Sequence, residues 1–207
     1  MILRNIIRGP GVPTAYDGWV VVGLGNPGPS YANTRHNVGY LVADELAKRV
    51  GASWKAHKSG RALAVEGRLA GTLGVRTVLG RGRCYMNESG GPVAQLLQFY
   101  KAAPDRLIVI HDELDIAYGE LRAKFGGGDN GHNGLKSIRR SLGTGDYLRL
   151  RVGIGRPAGP QDMADFVLSP FTPVERRELD LHVQRAADAV ESLITDGLEN
   201  TQNRFNR

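Results

Sequence analysis

WVVVGLGNPGPSYANTRHN, residues 19–37, opens on a short apolar run, Trp19 to Val22, and passes into a turn made of Gly23, Gly25, Pro27, Gly28 and Pro29. It closes on Thr34-Arg35-His36-Asn37, where a helical pattern begins. Strand, tight turn and helix start in that order are how an α/β fold carries polar side chains to the carboxyl edge of its sheet. Thr34 reads as the N-cap, which puts His36 in the first turn of the helix that follows.

The rest of the chain keeps this alternation. Val38, Leu41, Val42, Leu46 and Val50 share one helical stripe, and Gly51 stops it. Ala62 to Glu66 and Val75 to Leu79 read as two strands joined by a glycine-containing turn. Ser89, with Pro92 just inside, opens a helix that turns Val93, Leu96, Leu97 and Tyr100 inward. Leu107 to Ile110 is a buried strand of the parallel kind, running into His111-Asp112-Glu113. Leu121 to Phe125 is a further strand, and the glycine-rich loop from Gly126 to Gly134 feeds a helix from about Leu135 to Leu142. Tyr147 to Ile154 alternates leucine and valine with Arg149 and Arg151, the pattern of a half-exposed strand. Thr172-Pro173-Val174-Glu175 is a capping box that starts a last helix, with Leu179, Val183, Ala186, Val190 and Leu193 on its inner stripe and Gly197 at its end. The fold class expected is α/β: a single domain over residues 18–207, with a twisted mixed β-sheet flanked by helices. Residues 1–17 have two prolines and no period, and read as a flexible extension.

The 207 residues, 41% of them hydrophobic, suit one globular domain with a real core. No run approaches the ~18 apolar residues of a membrane span. The single cysteine, Cys84, allows no internal disulfide and fits a reducing cytoplasm; with no partner cysteine it argues against a structural zinc. A net charge of +6 favours an acidic partner, nucleic acid above all.

Gly23-Leu24-Gly25-Asn26-Pro27-Gly28 satisfies the dinucleotide fingerprint GxGxxG. Against it, Pro27 and Pro29 sit where a helix should offer amides to a pyrophosphate, and no acidic residue closes a second strand. Of five histidines, His182 reads as half-exposed, His57 as solvated and His111 as a satisfied core residue. His36 and His132 stand beside asparagines at loop-to-helix junctions. A helix start disfavours a charged imidazole, so a histidine held neutral there can accept a proton near pH 7. Asp112, leaving a strand at the same sheet edge, is the candidate orienter for His36. No GxSxG elbow is present, and Ser89 reads as a helix cap, so a His36–Asp112 pair activating water is more economical than a covalent nucleophile. Asn26, Asn87 and Asn133 occupy loop positions near His36, Met86 and His132, where an uncharged donor can read an amide or steady an oxyanion. Lys136, Arg139 and Arg140 share one helix face, and Arg122, Lys124, Arg149 and Arg151 come from nearby strands; they read either as a solvated face or as phosphate contacts.

Four motifs in order, GLGNPGPSYANTRHNVGY, CYMNESG, IVIHDELD and GGGDNGHNGLKSI, with RLRVGIGRP after them, closely resemble the bacterial-type peptidyl-tRNA hydrolases over about Val20 to the C-terminus. The resemblance implies a cytoplasmic monomer, free of cofactor, metal and membrane, that hydrolyses the ester between a peptide and the 3′ end of tRNA. It places His36 on the catalytic histidine, Asp112 on the aspartate that keeps it basic, and Asn26 on the asparagine that tells peptidyl-tRNA from aminoacyl-tRNA. Tyr31, Tyr85, Met86, Asn87, His132 and Asn133 fall in the substrate-binding set, and Lys124 and Arg151 on groups facing tRNA phosphates. Asn130 stands where the family usually has glycine, and Arg81-Gly82-Arg83 replaces a more usual Lys-Pro-x. The rival reading is a non-catalytic RNA-binding module on the same fold.

Overall fold

The computed structural model describes residues 16–70, 74–157 and 159–206. Residues 1–15, most of the expected extension, and residues 71–73, where a glycine-containing turn is expected, lie outside the described residues. Tyr16, the first one described, packs its ring 5.8 Å from that of Tyr100.

Seven strands form one sheet: β1 (Trp19–Gly23), β2 (Lys55–Ala56), β3 (Ala62–Leu69), β4 (Val75–Gly82), β5 (Leu107–Glu113), β6 (Leu121–Phe125) and β7 (Leu148–Gly153). Their order is β2-β3-β4-β1-β5-β7-β6. The four inner strands β4, β1, β5 and β7 run parallel, and β2, β3 and β6 are antiparallel additions at the margins. The expected mixed sheet is therefore present, with every parallel strand ending at one edge.

The helices are α1 (Val38–Val50), α2 (Gly90–Tyr100), α3 (Asn133–Leu142), α4 (Met163–Val167), α5 (Pro173–Thr195) and α6 (Gly197–Phe205). Alternate residues of each central strand feed two cores. Val21, Ile108 and Ile110 meet the inner stripes of α1 and α5, together with Phe205 of α6. Val20, Val22, Leu107 and Val109 meet α2 and α3 on the opposite face. Helix α1 lies close on the sheet because a Cβ on Gly23 would come within 2.1 Å of the Gly39 carbonyl oxygen.

Several local expectations need correction. Strand β7 is not half-exposed: it lies between β5 and β6, and Arg149 is 1% exposed. Thr34 does not cap α1; its hydroxyl donates to the Tyr31 carbonyl, and a 3-10 turn at Arg35–Asn37 precedes the helix. The Ser89 hydroxyl likewise donates to the Met86 carbonyl instead of capping α2. His57 is buried against Phe99, with Ser59 bonded to its Nδ1, and is not solvated. Gly197 ends α5 but starts α6, a helix the periodicity did not reveal, as it did not reveal α4 or the two-residue β2. The capping box of α5 forms as read, with reciprocal Thr172 and Glu175 bonds. Helix α6 packs along the outer margin of β6, where Asn206 accepts from the Ala123 amide and Gln202 donates to its carbonyl.

Candidate active site

The carboxyl edge of β1 and β5 brings together residues far apart in sequence. Asp112 is the penultimate residue of β5, and His36 sits in the 3-10 turn that ends the loop from β1. That turn is fixed from below by Arg35. Its buried guanidinium bonds Glu175 at 2.6 Å and Ser169, reaches the Pro170 carbonyl, and stacks over Phe166. Nothing in the local sequence pattern marks Arg35; its partners lie more than 130 residues along the chain.

His36 Nδ1 lies 2.9 Å from both carboxylate oxygens of Asp112. His132 Nε2 lies 3.0 Å from Asp112 Oδ1. The tautomer of His132 follows from its backbone. It is the N-cap of α3, and its Nδ1 accepts from the amides of Gly134 and Leu135, so Nε2 carries the proton and donates to Asp112. Asp112 thus holds two imidazole N–H groups. Burial alone pushes its carboxyl up, but the two adjacent imidazoles and their hydrogen bonds outweigh this and hold it well below the usual carboxylate range. With Nδ1 donating, His36 keeps Nε2 as an acceptor. His36 lines a cavity of about 350 Å³ with Asp112, Leu114, Asn133, Met163 and Val167.

His111, expected as a satisfied core histidine, is buried but only half satisfied. It is 1% exposed, and Nδ1 lies 2.7 Å from the Asp112 carbonyl, but Nε2 has no partner among the described residues. Burial, with His132 beside it, pushes its pKa down to about 3, so it stays neutral.

The asparagines differ in kind. Asn26 is buried. Asn37 clamps its backbone on both sides, accepting from its amide and donating to its carbonyl. The Asn26 side-chain Oδ1 accepts from the Met86 amide at 2.7 Å, tying the first loop to the Tyr85–Glu88 segment. Asn87 is exposed on that segment, and Asn133 opens α3 with its side chain toward solvent. Tyr31 and Tyr85 meet edge to face, ring centroids 6.2 Å apart.

A second cavity, about 330 Å³, adjoins the first through Glu113 and Asn130, and Lys124, Arg149 and Arg151 line it. Arg151 pairs with Glu113 at 3.0 Å. Burial and the neighbouring arginines lower the Lys124 pKa. Asn130, in place of the expected glycine, still adopts a left-handed backbone at φ 47°. Its side-chain amide bonds Glu113 at 2.8 Å and Asp115 at 2.9 Å, which anchors the loop to the end of β5. Lys136, Arg139 and Arg140 lie exposed on the outer side of α3, away from both cavities.

His36, Asp112 and His132 each offer one ligand atom, all within 4.8 Å of one another. Two imidazoles and a carboxylate suit a transition metal in kind. Here the cap on His132 Nδ1 commits Nε2 to a proton, and the donor set fits a proton-bridged cluster better than a chelate. The GxGxxG segment gives no dinucleotide cradle either, since α1 starts only at Val38.

Among the described residues no helix is long and apolar enough to cross a membrane. Comparison with known proteins agrees with the fold. The family model described as peptidyl-tRNA hydrolase matches residues 20–207. The chain is 60% identical over 194 residues to a peptidyl-tRNA hydrolase of Frankia alni, covering 94% of this chain and 96% of that one. It is 56% identical to one from Streptomyces coelicolor, over 91% and 94% of the two chains. The crystal structure of the Acinetobacter baumannii peptidyl-tRNA hydrolase superposes with a TM-score of 0.82 at 33% identity, covering 94% of this chain and 97% of that one. With a family model over nearly the whole chain and relatives of matching length, the chain belongs to the peptidyl-tRNA hydrolase family.

Proposed function

We propose that His36 is the general base with which this chain, a peptidyl-tRNA hydrolase by family, activates water against the ester of peptidyl-tRNA. The supporting observation is the buried 2.9 Å contact between His36 Nδ1 and Asp112, which leaves Nε2 for the cavity. Water attacks the ester carbonyl carbon as Nε2 takes its proton. The tetrahedral oxyanion collapses, and the imidazolium returns the proton to the departing ribose oxygen. Asp112 orients the ring and stabilises the imidazolium, and His132 holds Asp112. The side-chain amides of Asn87 and Asn133 suit the oxyanion and the peptide backbone. Asn26, with Met86, Tyr31 and Tyr85 around it, reads the first peptide bond and so separates peptidyl-tRNA from aminoacyl-tRNA. Lys124 and Arg151 take tRNA phosphates in the adjoining cavity. On this reading the chain acts as a monomer in the cytoplasm and uses no cofactor.

The test is release of an N-acetylated amino acid from tRNA, compared with the same tRNA carrying a free amino acid. The wild type cleaves only the blocked substrate. Asp112→Asn lowers that turnover by roughly 10²–10⁴-fold, the scale of a lost positioned base. Salt-dependent tRNA binding by a wild type that cleaves neither would turn the reading to a non-catalytic RNA-binding module. A buried histidine oriented by an ionised aspartate disfavours that alternative, because a pure binder has no use for one.

The outer face of α3 has its own test. Replacing Lys136, Arg139 and Arg140 together by alanine flattens the salt dependence of tRNA binding by roughly 2 to 3 units of slope if each meets a phosphate. An unchanged slope would make that face merely solvated.

A further inference from the structure

A third cavity, about 650 Å³, opens on the same sheet edge on the far side of His36 from the basic pocket. Asn26, Asn37, Leu41, Asp44, Arg81 and Arg83 line it. The strand order β4-β1-β5-β7 sets the sequence of sites along the edge. The cavity with Lys124 and Arg151 lies over β7 and β6, His36 and Asp112 over β5 and β1, and this third cavity over β1 and β4. Asn26 stands on the boundary. Its backbone and Oδ1 are fully engaged by Asn37 and Met86, and only Nδ2 lacks a partner among the described residues.

We infer that this cavity receives the peptide of the substrate beyond its first few residues, and that Arg83 biases it toward acidic side chains there. The inference rests on the reading of His36 as the base and of Lys124 and Arg151 as the tRNA side. An ester held over His36 with its tRNA toward β7 directs its acyl chain the opposite way, past Asn26. From β5 to β4 is two strand spacings, about 10 Å at roughly 4.8 Å each. An extended chain at about 3.4 Å per residue covers that in about three residues. A one-residue acyl group stops short of the cavity, and a four- or five-residue peptide reaches it.

The walls suit a peptide. Leu41 and Leu63 offer apolar contact, and Asn33 adds an exposed amide. Arg81 is neutralised by Asp44 at 2.8 Å and stacked over Trp54 and Tyr40, so it forms a rigid wall. Arg83 is exposed, and among the described residues its guanidinium makes one hydrogen bond, 3.4 Å long, to the Gly60 carbonyl. It is the cation left to meet a carboxylate.

Steady-state hydrolysis of three N-acetylated substrates on one tRNA tests this: a single amino acid, a pentapeptide with glutamate at the two N-terminal positions, and the same peptide with lysine there. The proteins are the wild type, Ala32→Trp, which fills the cavity from its exposed rim, and Arg83→Glu. Ala32→Trp raises KM for both pentapeptides by about tenfold, the scale of one or two lost side-chain contacts, and leaves the single-residue substrate unchanged. Arg83→Glu reverses a glutamate-over-lysine preference of about two- to fivefold in KM, the scale of an exposed ion pair. Equal effects on all three substrates, or none on any, overturn the proposal. Loss of the base reading shows separately, as His36→Ala cleaving the single-residue substrate at the wild-type rate.

Discussion

Replacing His36 by alanine lowers kcat for an N-blocked aminoacyl-tRNA by roughly 10²–10⁴-fold, the contribution of a positioned base. The tRNA affinity stays near that of the wild type, since His36 faces the reacting carbonyl and not the phosphates. Single-turnover rates at saturating enzyme, with binding measured in parallel, separate the two quantities. Asp112 hardly changes in that mutant, because His132 still donates to its Oδ1 at 3.0 Å. A residual rate above that of free water is therefore expected from positioning and the amide donors. A rate near wild type would sink the mechanism. Asp112 adds no limb to the pH profile near neutrality. Its carboxyl is held well below the ordinary range, so the stability its ionised form contributes is present above the unfolded value and is lost only as pH falls through the depressed one.

Arg149→Leu is expected to destabilise the fold by about 3 kcal/mol or more. The guanidinium donates to the carbonyls of Gly128 at 2.6 Å, Gly127 at 2.8 Å and Gly145 at 3.2 Å. Three loop carbonyls, on two exposed glycines and one half-buried one, lose a buried charged donor, at roughly 1 kcal/mol each. In a chain of this size that lowers Tm by roughly 6–12 °C. Lysine recovers little, because a point charge cannot fork across two loops. Thermal and urea unfolding check this, and a loss under about 1 kcal/mol would show that the loops find other donors. Since Arg149 also holds the loop that leads to Asn130 and His132, the variant should lose turnover before it loses structure.

Arg149 also marks where sequence reading stopped. Alternation of Leu148, Arg149, Leu150 and Arg151 implies one wet face, because a period of two carries no information about what lies over the sheet. The loop carbonyls that satisfy Arg149 are 21, 22 and 4 residues away, and nothing in the local pattern announces them. The burial of His57 and of Arg35 is hidden from the sequence pattern for the same reason. The parallel core, the capping box and the His36–Asp112 pair were legible, because each depends on local signals: apolar runs, a four-residue cap, and strands that end in polar residues. The clamp of Asn37 on Asn26 and the capping role of His132 were not, since both are hydrogen-bond choices made after the chain has folded. Helix α6 hid behind Gly197, which reads as a stop and here is a joint between two helices at φ 79°.

That short helix bears on how the molecule behaves in a crowd of its own copies. Strand β6 is the last of the sheet, and a last strand with free amides and carbonyls is a template on which another chain can polymerise. At its midpoint the Ala123 amide and carbonyl are both already taken, by Asn206 and Gln202 of the C-terminal segment. At the other margin β2 is two residues long and starts on Lys55, too short and too charged to recruit a neighbour. A chain shortened by its last ten residues would keep every group proposed for catalysis, yet would carry a raw seam where the sheet now stops.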